Sequence, residues 1–343
     1  MSAVRPLTVG IVGAGRVGAV LGAALNAAGH HVVAAAAVSA ASRARAARLL
    51  PGAAILPADE VARAAADLLL LAVPDDALRA VVAGLATTGA LRPGQVIAHT
   101  SGAHGLAVLG DISGMPANGR APHGLVRSEP AVPKTPPDGP TSHGSAASGS
   151  AASGSAASGS AGPGKGLRGM ALHPAMTFTG ADSDLDRLPG IAWGVTTNDR
   201  VFATRLVADL GGVPEWVAEE NRPLYHAALA HGANHLVTLV NEAADLLRAA
   251  GVEHPARVLA PLLNAALDNA LRLGDAALTG PVSRGDAGTV GKHLDRLPPE
   301  SVPAYLALAR RTADRAIAAG RLRPQDATLL MDVLSRAAVG SSL

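Results

Sequence analysis

The chain has no cysteine among its 343 residues, which removes disulfides, thiolate metal sites and a cysteine nucleophile from consideration. Aromatic residues make up only 2%, so alanine, leucine and valine must fill any interior. Charge of one sign is lacking as well. The formal net charge is +2 with the signs interspersed, and no basic block or aromatic-interleaved stripe offers the footprint that nucleic-acid binding uses. No uninterrupted apolar run is long enough to span a bilayer, and the first residues pass into an apolar segment without a basic stretch and cleavage site. A cytoplasmic protein with neither a nucleic-acid nor a membrane partner is therefore expected. The 12 histidines lack the spacing of a metal motif such as HExxH, so no metal site is expected either.

What is present begins with Gly13-Ala14-Gly15-Arg16-Val17-Gly18, set between the apolar run 7–12 and an Ala/Leu-rich stretch over 20–28. This is strand, glycine turn and helix. In a dinucleotide site the first glycine makes the turn, the second admits the pyrophosphate and the third lets helix and strand pack closely. The helix N-terminus then offers free N–H groups to the anion. The second strand, 31–38, lacks the acidic residue that usually holds the ribose hydroxyls in an NAD site, for no acid occurs between His30 and Pro57. It leads instead into Ser39, Ser42, Arg43 and Arg45, hydroxyls and guanidinium groups suited to a 2′-phosphate. The expected cofactor is NADP(H), with Gly13, Gly15, Arg16, Val17, Gly18, Ser39, Ser42 and Arg43 binding it. The alternative for the arginines is a solvated helix face.

The first half goes on alternating strands with helices: a helix over 42–50, a short strand at 54–56, a helix over 61–65 capped by Asp59, and a strand over 67–73 with a helix behind Pro74. A further strand at 95–98 ends in His99-Thr100-Ser101-Gly102. Strand ends are where ligands lie in open α/β sheets, which adds Val73, Pro74 and Ser101 to the expected site. Residues 115–169 turn to Gly, Ser, Ala and Pro, with Ser-Ala-Ala-Ser-Gly repeated three times between Ser145 and Gly159, a composition expected to be disordered. The domain plan is a Rossmann-type core at 1–114, that insert at 115–169, completion of the sheet at 170–218 with His173 at a strand end, and an all-helical domain at 219–343.

The first helix of that domain, 222–250, is apolar on nearly every face, through Leu224, Leu229, Leu236, Val237, Leu239, Val240, Leu246 and Leu247. A helix apolar all round is expected to be buried all round, which points to a homodimer. Along it His226 shares a face with Ala230, Ala233 and Val237, and Asn234 with Thr238 and Asn241. His226 or Asn234 can address a substrate carbonyl; the alternative is buried polar groups tying helices together, the reading favoured for His231 and His235. A second cluster runs from Thr279-Gly280-Pro281, expected as a turn, through Arg284 and Asp286 to Thr289 and His293. Asp286 is placed to cap the helix at 287–297, Arg284 to clamp a carboxylate, and His293 to share a face with Asp286.

These residues together resemble the Rossmann-like proteins that carry a C-terminal domain of unknown function named DUF2520. The resemblance rests on Gly13 to Gly18, Leu71-Ala72-Val73-Pro74-Asp75, His99-Thr100-Ser101-Gly102, His173-Pro174 with Thr177-Phe178, Tyr225-His226 with Asn234, and Thr279-Gly280-Pro281 with Arg284, Asp286, Thr289 and His293. The family is similar to the 6-phosphogluconate dehydrogenases, ketopantoate reductases and pyrroline-carboxylate reductases. That implies an NADP-binding sheet domain, a helical dimerising domain and a site in the cleft between them. One departure is visible. Ketopantoate reductases place a lysine four residues before the asparagine, and here that residue is Ala230. His226 or His293 then becomes the expected proton donor, since histidine titrates near neutral pH. The expected activity is NADPH-dependent reduction of a small carbonyl or imine such as a 2-oxo acid, with Arg284 on the carboxylate and Asn234 on the carbonyl oxygen. A noncatalytic NADP(H)-binding sensor or scaffold is the alternative.

Overall fold

A computed structural model describes residues 5–114 and 168–340. The chain divides into two compact units, Met1–Ala228 and Leu229–Leu343. In the first, strands and helices alternate as β1 (Thr8–Val12), α1 (Arg16–Ala27), β2 (His31–Ala36), α2 (Ala40–Leu49), β3 (Ala54–Ile55), α3 (Ala58–Ala64), β4 (Leu68–Leu71), α4 (Asp75–Thr87) and β5 (Val96–His99). After a 3₁₀ segment at Leu106–Gly114 come β6 (Arg168–Pro174), a second 3₁₀ turn at Asp182–Arg187, β7 (Ala192–Thr197), α5 (Arg200–Asp209), β8 (Val213–Trp216) and α6 (Arg222–Leu229).

The described strands form one sheet in the order β3-β2-β1-β4-β5-β6-β7-β8. All neighbours are parallel except β6 and β7, which are antiparallel. The order reverses between β1 and β4, and such a switch point opens a crevice at the strand C-termini. Parallel strands covered on both faces read as continuous apolar runs, and all four residues of β4 are buried. On one face α1, α2 and α5 supply Val20, Leu21, Leu49 and Leu206; on the other α3 and α4 supply Val61, Leu78 and Val82. Small residues allow the close approach that a core with few aromatics needs. A Cβ on Gly10 would lie 2.8 Å from that of Ala65.

Two local expectations change. The sheet resumes at Arg168 rather than after Gly169: the Arg168 N–H donates to the Gln95 carbonyl and its guanidinium pairs with Asp199, so both residues belong to β6. The rest of the expected insert, 115–167, lies outside the described residues. Asp59 does not cap α3; it sits within its first turn and pairs at 2.6 Å with Arg63, one turn on.

The second unit holds a π-helical turn at Ala230–Asn234, α7 (His235–Ala249), α8 (Pro255–Leu273), α9 (Gly280–Ser283), α10 (Ala287–Leu294), α11 (Val302–Ala318) and α12 (Pro324–Gly340). The single helix expected over 222–250 is thus interrupted by the π turn, and the turn expected at Thr279-Gly280-Pro281 opens α9, with proline in the first helical turn where no N–H is needed. The core of this unit is Val290, Leu306, Ala313, Leu330 and Leu334 from α10, α11 and α12. Helix α7 has no buried residue, and Leu236, Val237 and Leu239 on it are exposed. Burial all round therefore does not occur: among the described residues α8 is the helix that packs most along α7, and none of the α7 side chains is buried. Among the described residues no helix is long and apolar enough to cross a membrane.

Candidate active site

The glycine turn has the geometry its sequence suggests. Gly13 has φ of 97°, open to glycine without strain, and a Cβ there would lie 2.6 Å from the Ala72 carbonyl oxygen, so the turn abuts the end of β4 where Val73 and Pro74 follow. A Cβ on Gly18 would collide with the Gly13 carbonyl. Around Gly15, by contrast, nothing lies within 4 Å of a Cβ position. Gly15 also precedes α1 with no side chain capping that helix, leaving its first N–H groups for an anion. Two glycines thus serve packing and the middle one faces open space, as a phosphate approach requires.

The expected ribose-side groups are largely engaged. Ser39 caps α2, its Oγ accepting the Ser42 N–H at 3.0 Å, while the Ser42 hydroxyl donates to the Ser39 carbonyl at 2.8 Å. The Arg43 guanidinium turns back to the Val38 carbonyl, and Arg48 pairs with Asp182 and donates to the Gly180 carbonyl.

At the C-terminal edge of the sheet β5 and β6 lie side by side and bring Ser101 and His173 together with α6. Tyr225 Oη lies 3.0 Å from His173 Nδ1, and the His226 ring stands edge-on to His173 with centroids 6.2 Å apart. Gly102 makes this possible, for a Cβ there would come within 2.7 Å of His226 and 3.1 Å of His173. Gly194 does the same for the Tyr225 ring, at 2.5 Å. Arg222 beside the cluster is fully buried, and among the described residues its guanidinium meets no carboxylate in hydrogen-bond contact. Its Nε donates to the His104 carbonyl at 2.9 Å, Nη1 to Gly194 at 3.1 Å and Nη2 to Ser101 at 3.1 Å. Ser101 Oγ accepts the His104 N–H, and Glu219 accepts the N–H groups of Leu106 and Ala107. The loop from Ser101 to Ala107 is therefore pinned from several sides.

This setting fixes protonation. Burial lowers the His173 pKa to about 4, assisted by the positive charge of Arg222 and by His226, so the ring is neutral at pH 7. Burial likewise raises the Tyr225 pKa, keeping a phenol O–H that can donate to His173 Nδ1. His99, at the end of β5, is lowered to about 4 by burial, and its Nε2 meets the Gly105 carbonyl at 2.8 Å. Tyr225 Oη is thus placed to donate its proton to the neutral His173 ring.

Tyr225 belonged to the polar constellation in the sequence but carried no assigned role, and Arg222 was missed. One signal existed: an arginine opening a helix opposes the helix dipole, so it serves something other than the helix.

In the helical unit the π turn carries Asn234 at its end, and π turns recur at functional sites. His231 and His235 are exposed rather than buried, their Nδ1 atoms 3.3 Å apart, because they share a face of a helix without buried residues. Asp286 caps α10 by accepting the Thr289 N–H at 3.0 Å, and that bond holds its carboxyl below the ordinary range. Arg284 is exposed beside it. His293 Nδ1 lies 2.8 Å from Tyr305 Oη, and both line an apolar cavity of about 390 Å³ bounded also by Leu239, Leu246, Thr279 and Pro281. Among the described residues no group of three or more His, Asp or Glu is arranged to hold a metal.

Comparison with known families settles the architecture. Residues 2–123 match the Rossmann-like domain, and residues 191–312 match DUF2520, a domain of unknown function. The chain is a Rossmann-like and DUF2520 protein. Its fold recurs in a Bacteroides fragilis protein whose name assigns it to the NADP oxidoreductases, with a TM-score of 0.64 at 19% identity over 90% of this chain and 98% of that one. Protein TM1727 of Thermotoga maritima gives 0.52 at 16% identity, covering 96% and 99%. Pyrroline carboxylate reductase of Plasmodium falciparum, solved with NADP bound, gives 0.51 at 9% identity, covering 96% and 100%. No curated protein matches the sequence. At these identities the likeness is one of fold, shared by this Rossmann-like and DUF2520 chain along nearly its whole length.

Proposed function

We propose that this protein is an NADP(H)-dependent reductase of a small carbonyl or imine compound, with 2-oxo acids such as ketopantoate the leading class. The observation that carries the reading is the meeting of His173, Tyr225 and His226 over Gly102, on the same strand-end edge as a glycine turn whose middle residue faces open space. The preference for NADP(H) is supported by the lack of any acid from 31 to 56 and by the arginines of α2. The fold shared with a reductase solved with NADP bound adds to it.

The bound nicotinamide would supply or take up hydride. The chain's own groups handle the proton: Tyr225 keeps its phenol proton at neutral pH and directs it to the neutral His173 ring, with His226 alongside as the second donor. Val73, Pro74 and Ser101 border the cofactor at the ends of β4 and β5. On the helical unit Asn234 is assigned to the substrate oxygen, Arg284 to a carboxylate and His293 to proton transfer, while Asp286 holds the start of α10. Helices α7 and α8 leave Leu236, Val237, Leu262 and Leu271 exposed, which supports a homodimer through the helical unit.

The test is NADPH oxidation by the purified protein across a panel of 2-oxo acids and cyclic imines. Turnover on one member, lost on substituting Arg284 and His293 by alanine, supports the reductase and these roles. Unchanged turnover in those variants removes the roles. Tight NADPH binding without oxidation of any panel member favours the sensor.

A further inference from the structure

The cavity of about 390 Å³ in the helical unit falls within the size range of small-molecule sites, about 300–1,000 Å³, and is built locally from α7, α9, α10 and α11. Ser301, Ala304, Tyr305, Leu308 and Thr312 recur at the spacing of one helical face, so a single side of α11 and its N-cap forms one wall. Leu239, Glu242, Ala243 and Leu246 form another from α7 in the same way. Ala243 and Ala304 leave the space open, where larger side chains would fill it.

Charge in this cavity is one-sided. Neither lysine nor arginine lines it, and Glu242 is the carboxylate that does. Glu242 is half-buried, and it accepts no hydrogen bond and joins no ion pair among the described residues. The arginines near it on α7 and on α11 are engaged elsewhere: Arg248 pairs with Asp245, Arg311 with Asp314 and Arg315 with Asp275, while Arg310 donates to the Leu334 carbonyl. His293 and Tyr305 satisfy one another, Nδ1 and Oη lying 2.8 Å apart, and burial raises the Tyr305 pKa, so the phenol is neutral at neutral pH. The Thr279, Ser301 and Thr312 hydroxyls make no hydrogen bond among the described residues. A carboxylate beside apolar walls is costly while unpaired, and a cation with an apolar body relieves that cost. An anionic ligand would set two negative charges together, and a neutral one would leave Glu242 unpaired.

We propose that this cavity is a binding site for a small organic amine, its protonated nitrogen on Glu242 and its apolar body between α7 and α11. The site is built wholly within the helical unit, and its occupancy requires neither NADP(H) nor turnover.

The test is an NMR titration of the full chain with hexylamine, hexanol and hexanoate, which carry a cationic, a neutral and an anionic end on alkyl chains of like length, in wild type, Glu242→Gln and Ala243→Leu. Hexylamine should bind about 10-fold or more tighter than hexanol, as a charge-assisted hydrogen bond implies, and hexanoate should bind most weakly. Glu242→Gln should bring hexylamine to the level of hexanol and leave hexanol within about twofold. Ala243→Leu, which fills the space, should weaken both. Equal binding of the three, or a preference for hexanoate, overturns the assignment to a cation. Hexylamine affinity unchanged in Ala243→Leu puts the amine elsewhere and overturns the site, as does failure of all three to bind wild type. A change of oligomeric mass in Ala243→Leu, with no amine bound by wild type, makes a second copy of the chain the occupant instead. Melting temperatures near wild type separate these outcomes from misfolding, and Glu242→Asp, which keeps the charge, should retain part of the preference for the amine. The titrations contain no cofactor, so their result stands whatever the NADPH oxidation panel gives.

Discussion

His99 and His173 reach the folded state as neutral rings, and that choice makes stability depend on pH. In the unfolded chain each takes a proton near 6.5, whereas in the folded chain burial holds both near 4. Between those values the unfolded state binds more protons. Stability is therefore complete above about pH 6.5 and falls as pH drops toward 4, by up to about 1.4 kcal/mol per pH unit for each ring. Denaturant unfolding at neutral pH and at mildly acid pH checks this, with His99→Asn expected to flatten the dependence. Arg222 gives a second expected outcome. Its replacement by methionine strips charge-assisted bonds from three carbonyls and should cost at least about 3 kcal/mol, since each buried acceptor left unmade costs about 1–3 kcal/mol. The His173 pKa, followed by NMR in whatever fraction stays folded, should rise as the neighbouring positive charge is removed. The residue scale is where the sequence was least legible. His173, Tyr225 and His226 are visible as polar residues, but their meeting depends on Gly102 and Gly194, whose missing side chains make room without leaving any local pattern. Arg222 serves carbonyls far along the chain, which no spacing rule reports.

Among the elements, the glycine turn yields the sharpest contrast. Gly18→Ala would force α1 away from the turn and should lower both stability and dinucleotide affinity. Gly15→Ala meets no protein atom, so the melting temperature should hardly change while dinucleotide affinity falls as the methyl group meets the pyrophosphate. Thermal unfolding with and without NADPH separates the two. Most elements were legible because their signals are local. β1, β4 and β5 are apolar runs ended by turn residues, and α8 is bounded by Pro255 at its start and Gly274 just past its end. Asp59 looked like a cap because its spacing also suits an i,i+4 pair with Arg63, which is what forms. The π turn at Ala230–Asn234 left no mark, since a one-residue widening of a helix alters no hydrophobic period strongly enough to read.

For the molecule as a whole, two units and the exposed apolar residues of α7 and α8 set the expectations. On α8 of the helical unit Leu262 is 61% exposed and Leu271 79%, apolar area that the proposed dimer would cover. Light scattering coupled to size exclusion should give twice the 34.0 kDa chain mass, and Leu236→Asp with Val237→Asp should shift the protein toward monomer. The alternation of strand and helix followed by helices alone made this architecture readable, and the expectation of a homodimer came from a helix too apolar for its own unit to cover. The central claim concerns the strand-end edge and is tested most directly by single-turnover oxidation of bound NADPH with the panel substrate that turns over, in wild type and Tyr225→Phe. The account predicts that NADPH binds both proteins equally and that the rate falls roughly 100-fold or more in the variant, as loss of a positioned proton donor implies. NADPH oxidation at the wild-type rate in Tyr225→Phe, with His173 still neutral, would contradict it.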